Sequence, residues 1–108
     1  MTDKILILST CGSAEEAERV ARRLVETKVA ACVNISSPVT SVYRWHGAVE
    51  TNQEWTLTIK SRRDLFPALR DELVKAHSYE VPEVIAVPIV DGAESYLRWM
   101  DHELKALD

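Results

Sequence analysis

Glycine and cysteine are scarce in this sequence, and their scarcity excludes several kinds of site. Only three glycines occur among the 108 residues, and they do not form the Gly-x-x-x-x-Gly-Lys pattern of a nucleotide-binding loop. The two cysteines, Cys11 and Cys32, are too far apart for a Cys-x-x-Cys pair. The three histidines form neither His-x-x-x-His nor His-Glu-x-x-His. The sequence therefore contains no standard nucleotide or zinc motif.

Basic surplus and long apolar runs are also lacking. The chain has 13 Lys and Arg against 17 Asp and Glu, a net charge of -4, which is unlike a nucleic-acid-binding surface. No run approaches the roughly 18 apolar residues of a membrane span, and the N-terminus lacks the apolar stretch of a signal peptide. We expect a cytoplasmic protein that binds neither nucleic acid nor membrane, with Cys11 and Cys32 as free thiols.

Hydrophobic periodicity predicts the element order β-α-β-β-α-β-α. Ser13 and Glu16 form a capping box at the start of the first helix, which is expected to end near Lys28. Asp64 is expected to cap the second helix, and the last helix carries the apolar residues Leu97 and Met100. The strands are predicted at residues 4–10, 30–45, 49–61 and 84–89.

The first six elements match the split β-α-β, ferredoxin-like arrangement, so we predict a single α+β domain over residues 1–108 with an antiparallel sheet. In that arrangement the first and third strands are central and the second and fourth are edges. Pro38 and Pro88 fall in the predicted edge strands, where a missing N–H is tolerated. The long, weakly charged edge at residues 40–45 predicts an oligomer joined through its strands.

The predicted topology brings the end of the first strand, the hairpin turn and the exit of the second helix to one edge. That edge holds a thiol, two imidazoles and two carboxylates, namely Cys11, His46, His77, Glu80 and Glu83. Such groups suit copper or zinc, and we predict a metal site of His77, Cys11 and Glu80. His77 also suits the negative end of a helix dipole without any ligand. A Cys-His pair could serve catalysis, but no third group that would orient it stands out.

Five segments carry a family resemblance: Ala31-Cys32-Val33-Asn34, Val39-Thr40-Ser41-Val42-Tyr43-Arg44-Trp45-His46-Gly47, Ile59-Lys60-Ser61, His77-Ser78-Tyr79-Glu80-Val81-Pro82-Glu83 and Tyr96-Leu97-Arg98-Trp99. Together they closely resemble the CutA family of divalent-cation tolerance proteins, over about residues 4–104. The resemblance implies a ferredoxin-like subunit in a tight homotrimer built by strand pairing, similarity to the PII signalling proteins, and no enzymatic activity. It also implies a role in tolerance to divalent cations, with copper binding in some members.

The copper pattern of the family matches this sequence only in part. A cysteine that ends the first strand in that pattern falls on Ser9 here, and a pair of histidines that ends the second helix falls on Ala76 and His77. His77 alone matches, and Cys11 is two residues away from the cysteine position, on the same face of an extended strand. The resemblance therefore supports His77 as the principal ligand.

Three functional hypotheses follow. The first is a trimeric protein of metal-ion response that binds copper or another divalent ion through His77, Cys11 and Glu80. The second is a PII-like module that binds a small anionic ligand in clefts between subunits, with Lys60, Tyr79 and Glu83 as the binding residues. The third is a stable scaffold that presents a surface to protein partners.

Overall fold

The computed structural model describes residues 1–107, which form five strands, three α-helices and a short 3-10 turn at Arg63–Leu65. The helices are α1 (Ala14–Glu26), α2 (Phe66–Ala76) and α3 (Glu94–Glu103). The strands are β1 (Lys4–Cys11), β2 (Cys32–Ile35), β3 (Val39–Trp45), β4 (Ala48–Arg62) and β5 (Ile85–Pro88). The predicted α+β class is confirmed.

The sheet is antiparallel and has the order β2-β4-β1-β5, with β3 also paired to β4. The prediction of which strands are central and which are edges is therefore confirmed. The predicted second strand is in fact two strands, β2 and β3, separated by residues 36–38, which include Pro38. Proline cannot donate to a ladder, so it lies between two edge strands here rather than within one. Pro88 lies in an edge strand, as predicted, and is the last residue of β5.

One face of the sheet packs against α1 and α2 to form the main core. The buried side chains of this core include Ile7, Leu57 and Ile59 from the sheet, Val20 and Leu24 from α1, and Leu69 and Leu73 from α2. The predicted Asp64 cap is wrong. The Asp64 carboxylate accepts a hydrogen bond from Arg62 instead, and α2 begins after Leu65 without a side-chain cap and with a proline in its first turn.

A cluster of charged side chains holds α3 against the start of the sheet. Lys4, which is 4 % exposed, contacts the carboxylates of Asp3 and Asp101, and Arg62 also contacts Asp101 at 3.1 Å. Arg62 donates a further bond of 2.8 Å to the carbonyl of Lys105. Burial acts to raise the pKa of the Asp101 carboxyl, but hydrogen bonds from Lys4 and Arg62 outweigh it and hold that pKa below its ordinary value.

Asp101→Asn should therefore lower the free energy of unfolding at pH 7, by about 1 kcal/mol because the carboxylate is half exposed. The folded pKa lies below the ordinary value of 3.8, so this stabilisation is present above that pH and is lost as the pH falls through the folded pKa. Urea unfolding at several pH values would show the difference between wild type and variant shrinking below about pH 4. Asp71→Asn, at an exposed surface pair, is the control. A difference that does not depend on pH would contradict this account.

The hairpin formed by β3 and the first half of β4 extends beyond the rest of the sheet. Cys11, the last residue of β1, pairs with Trp55, so residues 48–54 of β4 have β3 as their partner strand. We call residues 39–54 the hairpin arm. It displays Val42 and Val49, which are 66 % and 64 % exposed, and it contributes to an elongated shape of 44 × 25 × 23 Å. A two-stranded hairpin is marginally stable alone, and open edges favour pairing with another chain.

Two further sequence expectations concern thiols and membranes. Cys11 and Cys32 are both free thiols, as predicted. Among residues 1–107, no helix combines the length and the apolar character that crossing a membrane requires.

Candidate functional site

His77, at the exit of α2, lies against the end of β1. Its Nε2 is 2.7 Å from the carbonyl oxygen of Thr10 and 3.6 Å from Sγ of Cys11. Its Nδ1 accepts a hydrogen bond of 3.0 Å from the amide of Tyr79. A carbonyl oxygen only accepts, so these contacts assign the hydrogen to Nε2 and the lone pair to Nδ1. Both nitrogens of His77 therefore have a hydrogen-bond partner.

Glu16, in the first turn of α1, is buried beside His77. Half of the predicted capping box is present, because Oγ of Ser13 accepts a bond of 3.1 Å from the Glu16 amide. The Glu16 carboxylate binds the amide of Ser78 at 2.9 Å and so joins α1 to the exit of α2. Burial acts to raise the pKa of Glu16, but hydrogen bonds from the side chain and amide of Ser78 outweigh it and lower that pKa.

Cys11, Glu16 and His77 bring one potential metal-binding atom each to within 4.8 Å of the others. We call them the Cys-Glu-His cluster. Within residues 1–107 it is the one group of three or more such side chains that converges in this way. A thiol, an imidazole and a carboxylate suit copper or zinc, so the donor types fit a divalent ion. Burial, and then the charge of Glu16, raise the pKa of the Cys11 thiol to about 12, so an ion would have to displace its proton.

Tyr79 connects the Cys-Glu-His cluster to β4. Its hydroxyl donates a hydrogen bond of 2.7 Å to the carboxylate of Glu54, and its ring lies 4.7 Å from the ring of His77. Burial, and then the hydrogen bond to Glu54, raise the pKa of the Tyr79 hydroxyl. Gly12 permits this arrangement, because a Cβ at that position would lie 3.1 Å from the Tyr79 hydroxyl oxygen.

A cleft of about 600 Å³ lies between the hairpin arm and residues 78–83. One face of the arm lines it, because side chains alternate along a strand and those of Tyr43, Trp45, Glu50 and Glu54 point the same way. Glu80 and Glu83 are on the opposite wall. Among residues 1–107 the lining contains these four carboxylates and no lysine or arginine, so the cleft of one chain has a negative character.

The family model of the CutA1 divalent ion tolerance protein matches residues 5–103. This chain belongs to that family. The CutA divalent-cation tolerance protein of Thermus thermophilus is 43 % identical over 95 residues, which are 88 % of this chain and 92 % of that protein. The human protein CutA is 43 % identical over 91 residues, which are 84 % of this chain and 51 % of that protein, so this chain spans about half the length of its human relative.

Solved CutA structures share the fold. The divalent cation tolerance protein Cut A1 of Thermus thermophilus superposes with a TM-score of 0.92 at 40 % identity. The superposition covers 94 % of this chain and 99 % of the Thermus chain. CutA of Xylella fastidiosa gives a TM-score of 0.93 at 39 % identity. The superposition covers 96 % of this chain and 100 % of the Xylella chain. The family resemblance and the divalent-cation tolerance class predicted from the sequence are therefore confirmed.

In this CutA1 family member the predicted metal ligands separate into two places. His77 and Cys11 lie together, as described above, whereas Glu80 lines the cleft and is not one of the three converging side chains. Glu16 occupies the third position instead. A sequence signal for its burial existed, because Glu16 precedes Val20 and Leu24 by four and eight residues and so lies on the apolar stripe of α1.

The predicted ligand-binding residues separate in a similar way. Tyr79 and Glu83 line the cleft, whereas Nζ of Lys60 lies 5.8 Å from the ring centre of Tyr96 in α3. His46 sits in the turn of the hairpin arm with φ of 49°, next to the ring of Trp45. Ser9 is buried on the same strand face as Cys11, and its hydroxyl has no hydrogen-bond partner among the described residues.

Tyr79→Phe should lower the free energy of unfolding by about 1–3 kcal/mol, because it removes the hydroxyl that bonds the buried Glu54 carboxylate. Tyr96→Phe is a matched control, since Tyr96 is 42 % exposed, lies in α3 outside the hairpin arm, and keeps its ring beside Lys60 when it becomes phenylalanine. The control should change the free energy by less than about 0.5 kcal/mol. Chemical unfolding of the three proteins provides the measurement, and equal effects of the two substitutions would contradict the structural role of Tyr79.

Proposed function

We propose that this protein acts in tolerance to divalent metal ions, as a cytoplasmic homotrimer without enzymatic activity, and that it binds copper or zinc at the Cys-Glu-His cluster. The observation that carries the proposal is the convergence of three potential ligands within 4.8 Å in a chain of this family. The relatives in Thermus thermophilus and Archaeoglobus fulgidus are named divalent-cation tolerance proteins, which supports the same role here.

The chemistry of the cluster favours a borderline or soft ion. Cys11 supplies a thiolate once its proton has been displaced, and His77 supplies an imidazole nitrogen once a hydrogen bond has been exchanged. Glu16 is the carboxylate nearest to them. Glu80 remains a candidate helper three residues after His77, from its position in the cleft. Because protons and hydrogen bonds must be exchanged, we expect moderate rather than very tight affinity.

Calorimetric titration of the wild type and of His77→Ala with Cu²⁺ and Zn²⁺ tests this site. We expect the variant to bind at least about tenfold more weakly, because removing a group that holds the ion typically costs this much. His46→Ala and His102→Ala are the controls, since both histidines are exposed and outside the cluster. Equal affinities of wild type and His77→Ala would remove His77 from the site. Cys11→Ser adds a spectroscopic readout, the loss of thiolate-to-copper absorption.

The proposed absence of enzymatic activity and the proposed compartment have separate support. Cys11 is fully buried and its pKa is about 12, which is opposite to the exposed, acidic thiol of a nucleophilic cysteine. Cys11 and Cys32 are both unbridged, as expected for a reducing compartment such as the cytoplasm.

Open strand edges support the homotrimer. The hairpin arm has unpaired edges and exposed valines, and β5 is an edge strand on which Ile85 and Val87 are 52 % and 40 % exposed. Pairing of the arm of one copy with the β5 edge of the next would cover both apolar surfaces. Such a contact joins two different surfaces. An open edge therefore remains at each end of the assembly unless the copies close into a ring. Three copies form such a ring in the proposed trimer.

Val42→Glu should dissociate the assembly, because it replaces an exposed valine of the hairpin arm with a charged side chain. Val74→Glu makes the same change at a valine of α2 that is 48 % exposed and should leave the assembly intact. Sedimentation velocity should give about three times the 12.2 kDa chain mass for the wild type and the control, and the chain mass for Val42→Glu. A wild-type protein that sediments as a monomer would contradict the trimer.

The hypothesis of a small anionic ligand receives less support. Its predicted cation, Lys60, contacts the ring of Tyr96, and the cleft that contains Tyr79 and Glu83 is lined by four carboxylates. Carboxylates repel an anion at close range. The cleft of a single chain therefore favours a positively charged ligand.

A further inference from the structure

Glu54 is a buried carboxylate without a cationic partner in the part of the chain that the structure describes. The residue is 7 % exposed, and its carboxylate accepts one hydrogen bond from the neutral hydroxyl of Tyr79. The salt bridges formed among residues 1–107 do not include Glu54. Buried charges in proteins are ordinarily paired, because an unpaired charge in a poorly hydrated place is costly. Glu54 therefore indicates a missing positive charge.

The surroundings of Glu54 show where that charge would lie. Glu54 lines the cleft, and three exposed carboxylates, those of Glu50, Glu80 and Glu83, line it as well. No lysine or arginine is among the described lining residues. Glu54 is thus the buried floor of a negative cleft, and the other carboxylates are placed to attract a cation from solution.

The cleft does not resemble a site for a metal ion. Its four carboxylates are not among the groups of three or more ligand atoms that converge within 4.8 Å, whereas Cys11, Glu16 and His77 are. Its volume of about 600 Å³ is also that of a small-molecule pocket rather than of a single ion.

Aromatic rings complete the lining. Tyr43 and Trp45 come from the same face of the hairpin arm as Glu54, and Tyr79 comes from the opposite side. The faces of such rings attract ammonium and guanidinium groups, whereas inorganic divalent ions prefer oxygen, nitrogen or sulfur ligands. A cleft lined by carboxylates and aromatic rings is therefore suited to an organic cation.

We propose that this cleft binds a small organic cation, with an ammonium or guanidinium group on a short chain. Glu54 pairs with the charged group, Tyr43 and Trp45 contact its alkyl part, and the exposed Glu80 and Glu83 attract a second charge. The Cys-Glu-His cluster takes no part in this binding, so the site is independent of the proposed metal site.

Calorimetric titration with 1,4-diaminobutane and with agmatine tests the proposal, in the presence of a chelator so that metal ions do not contribute. We expect saturable binding of both amines and none of 1,4-butanediol, which has the same length and no charge. Glu54→Gln should weaken binding by about tenfold or more, because it removes the buried charge and retains an acceptor for Tyr79. Glu103→Gln, a change at an exposed carboxylate outside the cleft, should have no effect.

Absence of saturable binding, equal binding of the diol, or an unchanged affinity of Glu54→Gln would each overturn the proposal. A lysine or arginine of a second copy of the chain could present the same chemical group to the cleft. If a side chain of a second copy fills the cleft, neither amine binds the wild-type assembly, Glu54→Gln lowers the stability of that assembly, and the small-molecule proposal is wrong. Thermal unfolding of Glu54→Gln checks that the variant is folded.

Discussion

The pairing of β4 with three other strands is the constraint on which the rest of the structure depends. β4 has 15 residues, and its second half lies in the sheet between β1 and β2, whereas its first half has β3 as its partner. Because β1 ends at Cys11, opposite Trp55, the remaining length of β4 must project as the hairpin arm. This mismatch in strand length creates both the open edges that favour a trimer and one wall of the cleft.

The residues that follow α2 connect three of the surrounding elements at the candidate site. Three consecutive residues each bind a different element: His77 the carbonyl of Thr10 in β1, Ser78 the carboxylate of Glu16 in α1, and Tyr79 the carboxylate of Glu54 in β4. The segment therefore supports the Cys-Glu-His cluster on one side and the floor of the cleft on the other. In the proposed function these are two separate sites, one for a divalent ion and one for an organic cation.

Much of the fold follows from the sequence. The spacing of hydrophobic residues indicates which side chains are buried, and the positions of the prolines indicate which strands are at the edges of the sheet. The central positions of β1 and β4 and the edge position of Pro88 were predictable in this way. The hydrogen-bond partners of individual side chains were not predictable, since they depend on residues that are distant in the chain. Glu16 binds Ser78, 62 residues away, and Asp64 binds Arg62 rather than a helix amide. For the same reason the sequence does not indicate that Glu80 lines the cleft or that Lys60 lies beside the ring of Tyr96.

Hydrogen exchange of the hairpin-arm amides tests the central claim, that the arm is an intersubunit element and cannot be stable as a free two-stranded ribbon. In the wild-type assembly, the account predicts that amides of residues 39–54 are protected to a similar degree as those of β1. In the dissociated Val42→Glu protein they should exchange rapidly while β1 remains protected. Rapid exchange of the arm in the wild type, or equal protection of the arm in both proteins, would contradict the account.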